Sequence, residues 1–247
     1  MNHQADKPNG AAGGIVMLRR HALVTRLTHW LNVLCFCLLA ASGMQIFNAW
    51  PQLYWGQQGA DASHALLVLQ AFPGWLTLPS WQDLAAGRRW HLFFAWCFVL
   101  NGAAYLAYAV FSGHLRRDLL PRGGELAPRH LWREVLDHAR LRFPRDERAR
   151  HYNTLQKLSY LGVIGLLLPM MLLTGLSMSP AMNAVLPWLP ELFGGRQSAR
   201  TLHFASAALL VLFVVVHLAM VLLSGPWNNL RSMLSGRYAI HLGRPHE

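Results

Sequence analysis

Four apolar blocks, at about 29–47, 91–111, 155–178 and 202–223, constrain this chain more than any other feature. Each is close to the ~20 residues that cross a hydrocarbon layer of about 30 Å. Helices are the natural spanning form, because every backbone N–H and C=O is then paired inside the segment. The pattern predicts an all-α integral membrane protein built as a bundle of four transmembrane helices. Averages alone (53% hydrophobic, 13% charged) would admit a soluble protein, but the clustering argues against one.

The formal net charge of +11 would suit a nucleic-acid binder until the charges are mapped. Lys7, Arg19, Arg20 and Arg26 precede the first block, a dense set from Arg116 to Lys157 separates the second and third, and Arg231, Arg237 and Arg244 follow the last. The other two connections carry only Arg88, Arg89, Arg196 and Arg200. Rich and poor connections alternate, as the positive-inside rule demands, so both termini are expected in the cytoplasm of a bacterial inner-membrane protein. No nucleic-acid partner is expected. Cys35, Cys37 and Cys97 fall inside the blocks and no C-x-x-C-H motif is present, so any haem would be held without thioether bonds. The arginines before the first block imitate a signal peptide, but the block is long for one, and no cleavage is expected.

The organisation expected is a disordered tail over 1–17, a membrane domain over 18–238 and a second tail over 239–247. The outer connection at 48–90 is rich in Trp, Pro and Gly, and tryptophan favours the headgroup region. Its run His64–Phe72 is too short to span and predicts a re-entrant or surface-lying helix, or the floor of a docking site. The segment from His130 to Leu141 has apolar residues at helical spacing and predicts an amphipathic helix on the inner leaflet. The second outer connection, about 179–199, holds three prolines and a Gly194-Gly195 pair.

Four histidines carry the chemistry. His203 and His217 stand 14 positions apart in the last block. Fourteen steps of 100° put both on one helix face, roughly 21 Å apart along the axis. An ionisable residue inside a membrane span is a functional-site candidate, because lipid offers it no partner. The topology sets His29 with His217 toward the cytoplasm, and His91 with His203 toward the outside. Two imidazoles per level is what two bis-histidine haems require. Three of these histidines share a spacing, Arg26-x-x-His29, Arg88-x-x-His91 and Arg200-x-x-His203, and each arginine could pair with a haem propionate through its planar fork. Gly43, 14 residues after His29, and Gly102, 11 after His91, fall where the haem of the other level would pass, and are expected to make room for it.

With these motifs in place, residues 18–238 resemble the prokaryotic membrane-bound cytochrome b561 family. That family includes the b-type cytochrome subunits of nickel–iron hydrogenases, formate dehydrogenases and thiosulfate reductases. The resemblance implies two non-covalent b haems relaying electrons between the quinone pool and a redox partner on the outer face. Carried over from the formate dehydrogenase subunit, the axial pairs are His29–His217 and His91–His203, the pairing that depth also gives. Tyr152-Asn153-x-x-Gln156-Lys157 resembles a motif that opens the third span beside a quinone site, where Asn153 and Gln156 could hydrogen-bond a quinone carbonyl. The Trp-rich connection and the Gly194-Gly-Arg-Gln turn depart from fixed family features. They look similar to members serving periplasmic molybdopterin oxidoreductases, a likeness that does not fix the partner.

The function expected is transmembrane electron transfer through haem iron, with no catalytic side chain assigned. Two rivals make different predictions. A self-contained haem oxidoreductase, acting on a small molecule such as superoxide at the outer face, would work without a partner protein. A haem-free transporter using the histidines as a proton path would show no haem spectrum, and broken inverted-repeat helices would favour it. Pro169 in the third block is the main candidate break.

Overall fold

The computed structural model describes residues 15–59, 62–113, 120, 124–139 and 154–241. In chain order the elements are β1 (Ile15–Arg19), α1 (Leu23–Asn48), β2 (Gln52–Leu53), β3 (Leu67–Val68), α2 (Leu84–Phe111), α3 (Pro128–Ala139), α4 (Thr154–Gly162), α5 (Leu168–Ser177), α6 (Pro180–Val185), α7 (Trp188–Leu192), α8 (Arg196–Leu223), α9 (Pro226–Ser235) and β4 (Arg237–His241). Four helical stretches, Leu23–Asn48, Leu84–Phe111, Thr154–Ser177 and Arg196–Leu223, are long and apolar enough to cross a membrane. The four spans are the expected ones, but three begin six or seven residues earlier than the apolar blocks do. Polar residues such as Arg26, Arg88 and Arg200 are helical too, since a helix continues into the headgroup layer where arginine can reach water.

The spans pack chiefly as two pairs, α1 with α2 and α5 with α8. Polar groups join the first pair. Asn101 is buried and donates to the Thr28 carbonyl at 2.8 Å and to Asn32 Oδ1 at 2.7 Å. Span two is started by Asp83, whose carboxylate accepts from Ala86 N at 2.8 Å.

Span three is not a plain helix. A π-helical turn over Val163–Leu167 separates α4 from α5, and Pro169 follows at once. Proline has no N–H and its ring crowds the carbonyl four residues back, here Gly165, and widening that turn relieves the crowding. The break foreseen at Pro169 is thus a bulge within a continuous span, and it has no inverted counterpart among the described spans.

Two expectations need correction. The run at 64–72 is not a helix: after a 3₁₀ turn at Ala62–His64, β3 pairs antiparallel with β2, Leu53 opposite Leu67. Its Leu and Val residues satisfy their backbone on a neighbouring strand, and Pro73 bars helical continuation. The disordered tail expected through residue 17 gives way to order from Ile15, because β1 pairs with β4 in register from Ile15–His241 to Arg19–Arg237. The other strand of this ribbon, β4, runs to His241, inside the stretch read as the second tail. The helix expected near His130 is present as α3. Its Glu134 carboxylate reaches the start of span three, accepting from Thr154 N at 3.3 Å and Leu155 N at 3.0 Å.

The connections at 48–90 and 179–199 are strapped to the bundle. Asn48 and Phe72 exchange two hydrogen bonds, at 2.8 and 2.7 Å. Gly56 N donates to Ser198 Oγ at 2.7 Å, and Thr201 donates to the Tyr54 carbonyl at 2.6 Å. Gly195, at φ 122°, lets the turn before α8 lie against the Gly56 backbone, where a Cβ would collide.

Candidate cofactor site

Two pairs of histidines face each other between the helix pairs. The rings of His29 and His217 have centroids 6.4 Å apart with planes at 63°. Those of His91 and His203 are 6.3 Å apart at 64°. A metal–imidazole bond of roughly 2 Å on each side of one ion gives about this separation. Among the described residues no group of three or more His, Cys, Asp or Glu could hold a bare metal ion. Each pair therefore offers two imidazole rings and, among the described residues, no third protein donor. That donor set suits an iron whose other ligands come from a macrocycle.

Both pairs open on one large cavity of about 3590 Å³, lined by all four histidines and by apolar side chains of every span. Close-packed interiors leave few voids larger than a water molecule, and an ordinary small-molecule site holds about 300–1,000 Å³. The four spans border a partly open volume that their own side chains do not fill.

The outer pair is held by a repeated device. His91 Nδ1 lies 3.2 Å from the Leu39 carbonyl and 3.1 Å from Ser42 Oγ. A carbonyl only accepts, so Nδ1 carries the proton and Nε2 keeps its lone pair. On span three, the Thr174 hydroxyl donates to Met170 O at 2.5 Å, leaving its oxygen to accept from His203 Nδ1 at 3.0 Å. The next residue in each case is glycine. A Cβ at Gly43 would lie 3.4 Å from His91 Cε1, and one at Gly175 would lie 3.4 Å from His203 Cε1. Such hydrogen bonds fix the tautomer and orientation of a ligating imidazole. Ser42, Thr174 and Gly175 escaped the sequence reading. The signal was there, a hydroxyl residue followed by glycine in two spans, Ser42-Gly43 and Thr174-Gly175.

The inner pair is set differently. His29 meets Trp30 edge-on at 5.4 Å, and His217 stacks on Phe213 at 6.1 Å. Trp30 Nε1 in turn donates to the Met233 carbonyl of α9 at 3.2 Å.

The remaining expected site residues divide. Gly43, Gly102, Arg88, Arg200 and Gln156 line the large cavity. Gly43 lies against the His91 ring, whereas a Cβ on Gly102 would meet nothing within 4 Å. Arg200 gives two hydrogen bonds to the outer connection, to Gln52 O at 2.9 Å and to the Trp50 carbonyl. Arg26 is turned away: it donates to the Leu234 carbonyl of α9 and lines a second, smaller cavity. Asn153 lies outside the described residues.

Residues 20–236 match the prokaryotic cytochrome b561 family. The chain belongs to that family. It is therefore a membrane cytochrome of the b type, and its task is electron transfer in the membrane. The cytochrome is similar to the "Putative protein-methionine-sulfoxide reductase subunit YedZ1" of Azospira oryzae, 32% identical over 198 residues, covering 80% of this chain and 87% of that protein. It is also similar to the "Putative cytochrome YdhU" of Escherichia coli K12, 29% identical over 223 residues, covering 87% of this chain and 72% of that one.

Proposed function

We propose that this cytochrome relays electrons across the bacterial inner membrane through two b haems, between a quinone on the cytoplasmic side and an oxidoreductase docked outside. The observation that carries the proposal is the pair of facing imidazoles at each of two levels, 6.4 and 6.3 Å apart. His29 and His217 would hold the inner iron, His91 and His203 the outer one. Bound haem supplies reversible one-electron chemistry at iron. The chain's part is to aim four imidazoles, fix the outer tautomers through Leu39, Ser42 and Thr174, and keep water from the cavity. Arg88 and Arg200 line that cavity with guanidinium forks suited to propionates. Arg26 and Arg200 both give their guanidiniums to backbone carbonyls, Arg26 to Leu234 and Arg200 to Gln52 and Trp50, and Arg26 does not line the cavity.

Gln156 and Tyr160 line the same cavity from the start of span three and offer polar groups to a quinone carbonyl, the role also proposed for Asn153. Both termini lie on that side, the arginine-rich one. The outer partner would dock on the 48–90 and 179–199 connections, where Trp55, Trp75, Trp81 and Trp188 are all more than half exposed. The YedZ1 likeness supports a reductase subunit as that partner. Partner chemistry beyond this class, including a molybdopterin centre, rests on the resemblance alone.

The proposal is tested by mixing the purified oxidised cytochrome anaerobically with a water-soluble quinol analogue. The haem bands should reduce within the mixing experiment, and His217→Ala should slow that reduction at least tenfold. A cytochrome that dithionite reduces and quinol does not would contradict the quinone side.

A further inference from the structure

A second cavity, of about 490 Å³, lies where the β1–β4 ribbon meets α1 and α9 and is lined by Met17, Arg19, Arg26, Ser235 and Arg237. Three of those five residues are arginines. Arg19 and Arg237 are direct partners across the β1–β4 ribbon, so their side chains leave on the same face, with Met17 two positions along it. Like charges directly opposite in an antiparallel pair repel. Among the described residues, no carboxylate pairs with any of the three. Arg26 is fixed at the rim. Its guanidinium donates to the Leu234 carbonyl and packs on Gly236, where a Cβ would stand 3.1 Å from Nη1. Its Nε is buried without a hydrogen-bond partner. Three guanidiniums around one cavity, two of them directly opposed, form an arrangement that an anion would relieve.

The surroundings say where the anion comes from. Leu23 and Leu27, in the first turns of span one, are exposed at 53% and 63%. On α9, Trp227, Leu230 and Leu234 are exposed at helical spacing, three and four residues apart, and form one apolar stripe. A short helix with such a stripe beside a span end lies in the membrane interface, and the arginine cavity opens at its C-terminal end.

We propose that Arg19, Arg26 and Arg237 form a binding site for a phosphate group, supplied by an anionic phospholipid headgroup of the leaflet on which both termini lie. The planar forks suit phosphate oxygens, and basic pockets beside span ends attract anionic headgroups. Bound there, the lipid would tie together the ribbon, the end of α9 and the first turn of span one, six residues or fewer from His29.

Native mass spectrometry of the full chain in detergent tests this, with phosphatidylglycerol, cardiolipin or phosphatidylcholine added in turn. The wild type should retain the two anionic lipids in preference to phosphatidylcholine. Arg19→Gln with Arg237→Gln should bind them roughly 30-fold more weakly, two surface cations being removed. Arg231→Gln, on α9 but outside the cavity, should bind within about twofold of wild type, since it leaves the three arginines of the cavity in place. An unchanged haem spectrum verifies that each variant is folded. If the Gln double variant does not fold, Arg19→Lys with Arg237→Lys keeps the charge without the forks and should still bind severalfold more weakly. Wild-type lipid retention by the folded double variant would overturn the proposal, as would an equal loss in Arg231→Gln. Displacement of the lipid by a few millimolar inorganic phosphate would overturn the lipid source and leave a soluble phosphate as the ligand.

Discussion

At the residue scale, the outer histidines are better fixed than the inner ones, through hydroxyl groups on neighbouring spans and, for His91, through the Leu39 carbonyl as well. Ser42 of span one serves His91 of span two, and Thr174 of span three serves His203 of span four. Each helix pair thus carries its own oriented imidazole, and the two face each other across the gap. Loss of a hydrogen bond behind a metal-ligating histidine commonly costs 10–100-fold in metal affinity. Thr174→Ala should therefore weaken retention of the outer haem by roughly 10–100-fold, and Ser42→Ala by less, because the Leu39 carbonyl still holds His91 Nδ1, with the inner haem unmoved in both. A redox titration resolving the two haems checks this, and equal loss from both would mean the levels are not separately built. The histidines themselves were legible in the sequence, because an ionisable group in lipid stands out. The hydroxyls were not, because Ser and Thr in a span usually just return a hydrogen bond to their own helix. Both do so here as well, to Leu38 and to Met170.

At the scale of elements, hydropathy located the spans, while their ends and interruptions depended on contacts that no local pattern records. The strand pairing of Leu53 with Leu67 and the ribbon of β1 with β4 join residues far apart in sequence. Such pairings are invisible to periodicity. Helix α3 was legible as amphipathic, but its coupling to span three was not. Glu134 accepts from two backbone amides at the start of α4, and Lys157 of α4 is buried against Glu125 at 2.8 Å. These bonds do the work of an N-cap supplied from outside the helix. Glu134→Gln should cost about 1 kcal/mol locally, the usual value of a cap. Amide exchange at Thr154 and Leu155 should then quicken about fivefold, while exchange in the middle of α8 stays unchanged. Unaltered exchange at those two amides would mean that α3 does not hold span three.

At the scale of the whole molecule, the two helix pairs border a partly open cavity of about 3590 Å³, and histidines face one another across it twice. Family membership makes this a b-type cytochrome; the geometry supports two haems as what joins the pairs, one near each face of the membrane. The direct measurement is the number of haems per chain in the purified protein, from pyridine haemochrome absorbance against amino-acid analysis, repeated on His91→Ala. Two b haems per chain are predicted, falling to one in the variant while the inner haem keeps its spectrum. A wild-type ratio of one, or no change on replacing His91, would contradict the two-level arrangement.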